Sequence, residues 1–100
     1  MTPGHHDDDT TRGELAACRA DIERLDSELL QLLAQRVQLG RRVGALKRTA
    51  GLPVLDPKRE AKVIRSAAEQ ARALELPPEP VREIFWQIIA LVRRTQSEGE

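Results

Sequence analysis

Two cationic residues lie on or near the apolar face of a predicted helix in this sequence. Arg36 interrupts a series of apolar residues spaced three and four apart, and Lys47 follows it by eleven residues, on nearly the same helix face. An isolated buried charge is very costly, so such a cation must be paired or must face a ligand. Two long cationic side chains about 16 Å apart along a helix can bracket a small anion. The spacing therefore indicates anion binding.

Two further polar residues interrupt apolar lines later in the chain. Glu60 begins the helical line that continues through Ile64 and Ala67, and Gln96 ends the line of Ile89 and Val92. If the helices carrying these lines pack together, Arg36, Lys47, Glu60 and Gln96 would line one wet, basic pocket inside an apolar bundle. The sequence therefore predicts a small-molecule site built from three segments.

A purely structural interpretation fits the same residues. Arg36 would then pair with Glu60 in a buried salt bridge that fixes the register of a helical dimer. A helix phase shifted by one residue would turn Glu60 toward solvent, and Gln96 would belong to a frayed helix end. Spacing alone leaves both interpretations open.

The first element that must position these residues is a very long helix, predicted from about Gly13 to Arg48. Its heptad stripe has no proline interruption. The stripe comprises Leu15, Cys18, Ile22, Leu25, Leu29, Leu32, Arg36, Leu39, Val43 and Leu46. A helix of about 35 residues extends roughly 50 Å, whereas a compact chain of this length has a radius of gyration of about 13 Å. We therefore expect the stripe to pack against a second copy of the chain, in a dimer with long helices side by side.

Two shorter helices follow, which makes the predicted fold class all-α. Gly51 suits the C-terminal cap of the first helix, and Asp56 suits the N-cap of the second, with Pro57 in its first turn. The second helix is predicted to end near Leu74. Prolines 77, 78 and 80 then break the chain, and the third helix is predicted from about Val81 to Gln96.

The chain ends are polar and are predicted to be disordered tails, residues 1–12 and 98–100, around a single domain of residues 13–97. The run from His5 to Asp9 has no second ligand cluster to complete a closed metal site, so no metal is predicted.

Cys18 is the only cysteine, which excludes an intrachain disulfide, and its place on the apolar stripe predicts a buried thiol.

The composition argues against nucleic acid and membranes as partners. Sixteen basic and sixteen acidic residues give a formal net charge of zero, which does not suggest binding to nucleic acid or to an anionic membrane surface. The sequence shows no stretch apolar enough for a transmembrane helix and no signal peptide, so the expected location is the cytoplasm.

Taken in order, segments of the chain resemble the all-helical chorismate mutases, over about residues 14 to 96. The matching segments are Arg19–Asp26, Leu29–Arg36, Val43–Lys47, Pro53–Glu60, Ile84–Ile89 and Gln96. The resemblance implies a three-helix protomer and an intertwined homodimer with two active sites. It also implies the conversion of chorismate to prephenate, without metal or cofactor, in the shikimate pathway toward phenylalanine and tyrosine.

The resemblance assigns the site residue by residue. It places Arg36, Lys47, Asp56, Arg59, Glu60 and Gln96 at substrate-binding positions, with Lys47, Gln96 and Arg36 as the catalytic set. Arg19 matches the arginine that reaches across from the partner chain. Arg19 and Arg36 lie about 100° apart around one helix, so they need not serve the same pocket from one chain. Val92 departs from the family, which often has serine or another small polar residue there, so a substrate hydrogen bond is expected to be missing.

Other functions compete with this one. Isochorismate-pyruvate lyases share the fold and a similar cationic pocket, although the segment from Asp56 to Glu60 looks more like the mutase pattern. A noncatalytic helical dimerisation module fits the heptad stripe but does not explain the inward polar residues. Some short mutases that resemble this chain are activated by the first enzyme of the shikimate pathway, so a synthase is a further possible partner.

Overall fold

The described part of the chain contains three α-helices joined by two short links, in agreement with the predicted all-α fold. The computed structural model describes residues 3–98, with side chains from Asp8 to Ser97. The helices are α1 (Pro3–Thr49), α2 (Pro57–Ala73) and α3 (Pro78–Glu98). Met1, Thr2, Gly99 and Glu100 of the predicted tails lie outside the described residues. No helix within residues 3–98 has an apolar stretch long enough to cross a bilayer.

Two helices begin earlier than the sequence predicts. The segment from Pro3 to Arg12, assigned to a disordered tail, belongs to α1. No proline follows Pro3 until the end of that helix, so nothing in the backbone stops the helix from extending toward its N-terminus. α3 begins at Pro78 rather than Val81 because proline is tolerated in the first turn, where its missing N–H has no helical partner.

The link between α1 and α2 places Lys47 and Asp56 near each other. Gly51 takes a positive φ of 72° and closes α1. Its amide donates to the Arg48 carbonyl, and the Leu52 amide donates to the Lys47 carbonyl at 2.8 Å, which is the Schellman pattern. The Asp56 side chain then caps α2 by accepting a hydrogen bond from the Arg59 amide. Both predicted caps are confirmed.

Contacts divide the chain into two compact units, Met1–Leu33 and Ala34–Glu100. In the first, the described residues belong to α1, and its stripe from Leu15 to Leu32 is about half exposed or more. Cys18 is also exposed, contrary to the prediction of a buried thiol, because the described residues of this unit form a single helix with no second described segment to cover the stripe.

The second unit contains the core of the described chain, where α2 meets α3. The buried apolar side chains are those of Ile64, Ala67, Ala68, Ala71 and Ile89. Leu74, near which the second helix was predicted to end, is 70% exposed because it lies just beyond the end of α2. Leu39, Val43 and Leu46, the stripe residues of α1 in this unit, remain 46–63% exposed. The core of one chain is therefore small, and much apolar surface is left uncovered.

Candidate active site

A cavity of about 310 Å³ lies between the C-terminal part of α1, the link to α2, and helices α2 and α3, all within the second unit. This volume is at the lower end of the range of about 300–1,000 Å³ that is usual for small-molecule sites. The lining residues are Arg36, Leu39, Gly40, Val43, Lys47, Val54, Asp56, Arg59, Glu60, Val63, Ile89, Val92, Arg93 and Gln96. Six of the seven predicted site residues are therefore brought together.

Arg19 is the seventh predicted site residue, and it is not among the residues that line this cavity. It belongs to the first unit, where its side chain is exposed on α1. The cavity therefore gathers only the six predicted site residues that belong to the second unit.

Lys47 is held at the wall of the cavity by two neighbours. Its Nζ donates to the Val54 carbonyl at 3.3 Å and lies 3.6 Å from Oδ2 of Asp56, and its side chain is only 22% exposed. An ammonium group has three N–H donors, so a third donor remains for a ligand. Asp56 uses its other oxygen, Oδ1, to cap α2. One carboxylate therefore caps the start of α2 and also holds the Lys47 ammonium group in place.

Gln96 reaches α1 from the last turns of α3. Its Nε2 donates to the Gly40 carbonyl at 2.7 Å, and this bond sets the orientation of the side-chain amide. One N–H of that amide remains free for a ligand. Gln96 is half-buried, contrary to the alternative of a frayed helix end.

Glu60 pairs with a residue that the sequence prediction missed. Its carboxylate accepts from Nε of Arg93 at 2.8 Å and also from Nη2 of Arg93, which is a two-pronged pairing between α2 and α3. These hydrogen bonds raise the pKa of the Arg93 guanidinium, against a lowering by burial. The alternative pairing of Glu60 with Arg36 is therefore not the one formed. Arg93 follows Ile89 by four residues, so helical spacing places the two on one face of α3, which is the signal that the sequence offered.

The charges in the cavity do not balance. Arg36, Lys47, Arg59 and Arg93 face two carboxylates, Asp56 and Glu60, which gives a formal charge of +2. Among the described residues, no carboxylate pairs with the side chain of Arg36 or Arg59. The cavity thus offers two unpaired guanidinium groups, which suit a small ligand that carries two carboxylates.

A close approach of α1 to α3 shapes one wall of the cavity. A Cβ added at Gly40 would overlap the Val92 side chain, and Gly44 is buried against Gln96. Gly40→Ala is expected to lower the free energy of unfolding by about 1 kcal/mol, because overpacking costs about 1–3 kcal/mol and outweighs the gain of about 1 kcal/mol in helix propensity. Urea unfolding measures the change.

Gly13→Ala is the matched control for that prediction, since an added Cβ at Gly13 meets no atom within 4 Å. Gly13→Ala should leave stability unchanged or raise it by up to about 1 kcal/mol. Adding Val92→Ala to Gly40→Ala should recover part of the loss. Equal stability of the Gly40 and Gly13 variants would contradict the close approach.

Comparison with known proteins agrees with this geometry. The family model of chorismate mutase type II matches residues 18–97. The structure resembles that of a chorismate mutase from Thermus thermophilus, with a TM-score of 0.78 and 28% sequence identity over 84% of this chain and 94% of that one.

Relatives with other names also match. A T-protein of Enterobacter agglomerans is 38% identical over 76% of this chain and 20% of its own length. A 4-amino-4-deoxychorismate mutase of Streptomyces venezuelae is 36% identical over 62% of this chain and 60% of its own length. The chain thus spans about a fifth of the T-protein's length.

Proposed function

Because the chain belongs to the chorismate mutase type II family, we propose that it converts chorismate to prephenate in the biosynthesis of phenylalanine and tyrosine. The observation that carries this proposal is the cavity charge of +2, with Arg36 and Arg59 unpaired, which suits the two carboxylates of chorismate. The cytoplasmic location and activation by a shikimate-pathway synthase remain predictions from the sequence.

The reaction is a rearrangement of one molecule, in which an ether C–O bond breaks while a C–C bond forms. It needs no nucleophile and no general base. The site must instead hold the substrate in its compact, reactive conformation. We assign carboxylate binding to Arg36 and to Arg19 of the partner chain, with Arg59 holding a carboxylate or the ion-pair network. Glu60, with Asp56, orients the ring hydroxyl.

The second requirement is stabilisation of the negative charge that grows on the ether oxygen in the transition state. We assign this to Lys47 and Gln96, each of which has an N–H donor left for a ligand. Because Asp56 and the Val54 carbonyl hold Lys47, and the Gly40 carbonyl holds Gln96, both donors are oriented before substrate arrives. Such preorganised donors cost little reorganisation during the reaction.

We further propose an intertwined homodimer. The support is the apolar stripe of α1, which is left largely exposed in one chain, together with a core of five buried apolar residues. A second copy would cover the stripe and bring its own Arg19 toward the cavity. Symmetric pairing of two chains would then create two equivalent sites.

A bicyclic diacid that mimics the compact transition state tests the assignment by binding alone. Calorimetric titration of the full chain should show one saturable site per chain, and Arg36→Ala should abolish it. Arg41→Ala is the control, because Arg41 is exposed on the same helix and does not line the cavity. A noncatalytic dimerisation module would bind none of the diacid, and that result would refute the proposed function.

Val92 occupies a position where a hydroxyl could serve the substrate. Val92→Ser is expected to raise kcat/KM for chorismate about 3- to 10-fold, the worth of one net hydrogen bond. Steady-state kinetics on chorismate measure the gain. Val92→Ala is the matched control, since it loses the same packing against Gly40 without adding a donor. If both variants change kcat/KM equally, the missing hydrogen bond is not at this position.

A further inference from the structure

The Arg93–Glu60 pair lies at the part of the cavity that the proposed function assigns to the ring hydroxyl. The Glu60 side chain is 15% exposed, whereas that of Arg93 is 48% exposed, so Arg93 reaches in from the rim to a carboxylate inside. Both carboxylate oxygens accept from the guanidinium. Glu60 therefore does not present an unpaired negative charge to a ligand.

This pairing has opposite consequences for two kinds of ring substituent. A paired carboxylate keeps lone pairs that accept a hydrogen bond from a neutral hydroxyl. An ammonium group at the same position would gain little from the neutralised carboxylate and would be repelled by the Arg93 guanidinium. Without Arg93, the same Glu60 would become a good counter-ion for an ammonium group.

We propose that Arg93 is a specificity-determining residue that makes the site accept a ring hydroxyl and reject a ring ammonium. The inference rests on the proposed function, in which Glu60 faces the ring hydroxyl of chorismate. The distinction matters for this chain because one relative is named for 4-amino-4-deoxychorismate, which carries an amine in place of that hydroxyl. An aliphatic amine is protonated at neutral pH.

A purely structural role for Arg93 makes a different prediction. The pair joins α2 to α3, so its loss could weaken the packing of the two helices and lower turnover of both substrates equally. The ratio of kcat/KM for chorismate to kcat/KM for the amine separates the two roles, because a general loss of packing cancels in the ratio.

The experiment measures this ratio for the wild-type chain and three variants. Wild type should prefer chorismate by about a hundredfold or more, and Arg93→Gln should lower the ratio at least about tenfold, because the like charge is gone. Arg93→Lys keeps the charge but loses the two-pronged geometry, so its ratio should stay within about threefold of wild type. Arg94→Gln, an exposed neighbour that does not line the cavity, is the matched control and should leave the ratio unchanged.

The measured ratios show whether Arg93 determines specificity. Equal use of both substrates by the wild type, or an unchanged ratio in Arg93→Gln, overturns the inference while the proposed function stands. Circular dichroism checks folding, and Arg93→Leu gives a second uncharged variant if Arg93→Gln does not fold. A wild-type chain that turns over neither substrate overturns the proposed function instead.

Discussion

Lys47→Ala is expected to lower kcat for chorismate by about three orders of magnitude, while the chain keeps its fold. The expected size is that of removing one preorganised donor from a developing oxyanion, which costs about 10²- to 10³-fold. The loss should be at the upper end because Lys47 is a cation with a side chain only 22% exposed. Steady-state kinetics and circular dichroism measure the two quantities.

Lys58→Ala is the control for Lys47→Ala, because Lys58 is exposed near the start of α2 and does not line the cavity. Its kcat should match that of the wild type. A loss in Lys47→Ala that is confined to KM would show that Lys47 binds the ground state and the transition state equally. Near-normal kcat and KM would refute the assignment.

Arg19→Ala is expected to lower kcat/KM for chorismate about a hundredfold, the worth of a charge-assisted hydrogen bond to a carboxylate. Arg12→Ala, an exposed arginine one heptad earlier on α1, is the control and should have little effect. Comparing the two variants tests whether Arg19 contributes to turnover, although Arg19 is not among the residues that line the cavity in one chain.

Mixing Arg19→Ala chains with Lys47→Ala chains tests whether Arg19 acts across chains. Random exchange of subunits should restore about a quarter of wild-type activity, since half of the dimers are mixed and each has one complete site. Mixing Arg36→Ala with Lys47→Ala should restore none, because both residues belong to the same cavity. Absence of rescue in the first mixture, after exchange is verified by mass spectrometry, would contradict the shared site.

The features that the sequence predicted well depend on local chemistry. Gly51 and Asp56 have short-range partners, so the end of α1 and the start of α2 followed from residue type. Arg36, Glu60 and Gln96 were found because a polar residue on an apolar helix face is unusual, and all three line the cavity. Helical spacing was therefore enough to identify most of the candidate site.

The features that the sequence did not predict depend on contacts between segments. Arg93 was missed because an arginine near a helix end is usually solvated, and only the approach of α3 to α2 shows that it meets Glu60. The prediction of a buried thiol at Cys18 was wrong for one chain because the described part of the first unit is a single helix, whose stripe no second described segment covers. The contact between Gly40 and Val92 could not be identified from the sequence, because it depends on the packing of α1 on α3.

Turnover of chorismate by the purified full chain decides whether this cavity rearranges a dianion. Chorismate and isochorismate are supplied in separate reactions, and products are separated by chromatography. We expect chorismate to be consumed with equimolar formation of prephenate, and we expect Lys47→Ala nearly to abolish the reaction. No catalysed loss of chorismate, or salicylate formed from isochorismate as the only product, would contradict this expectation.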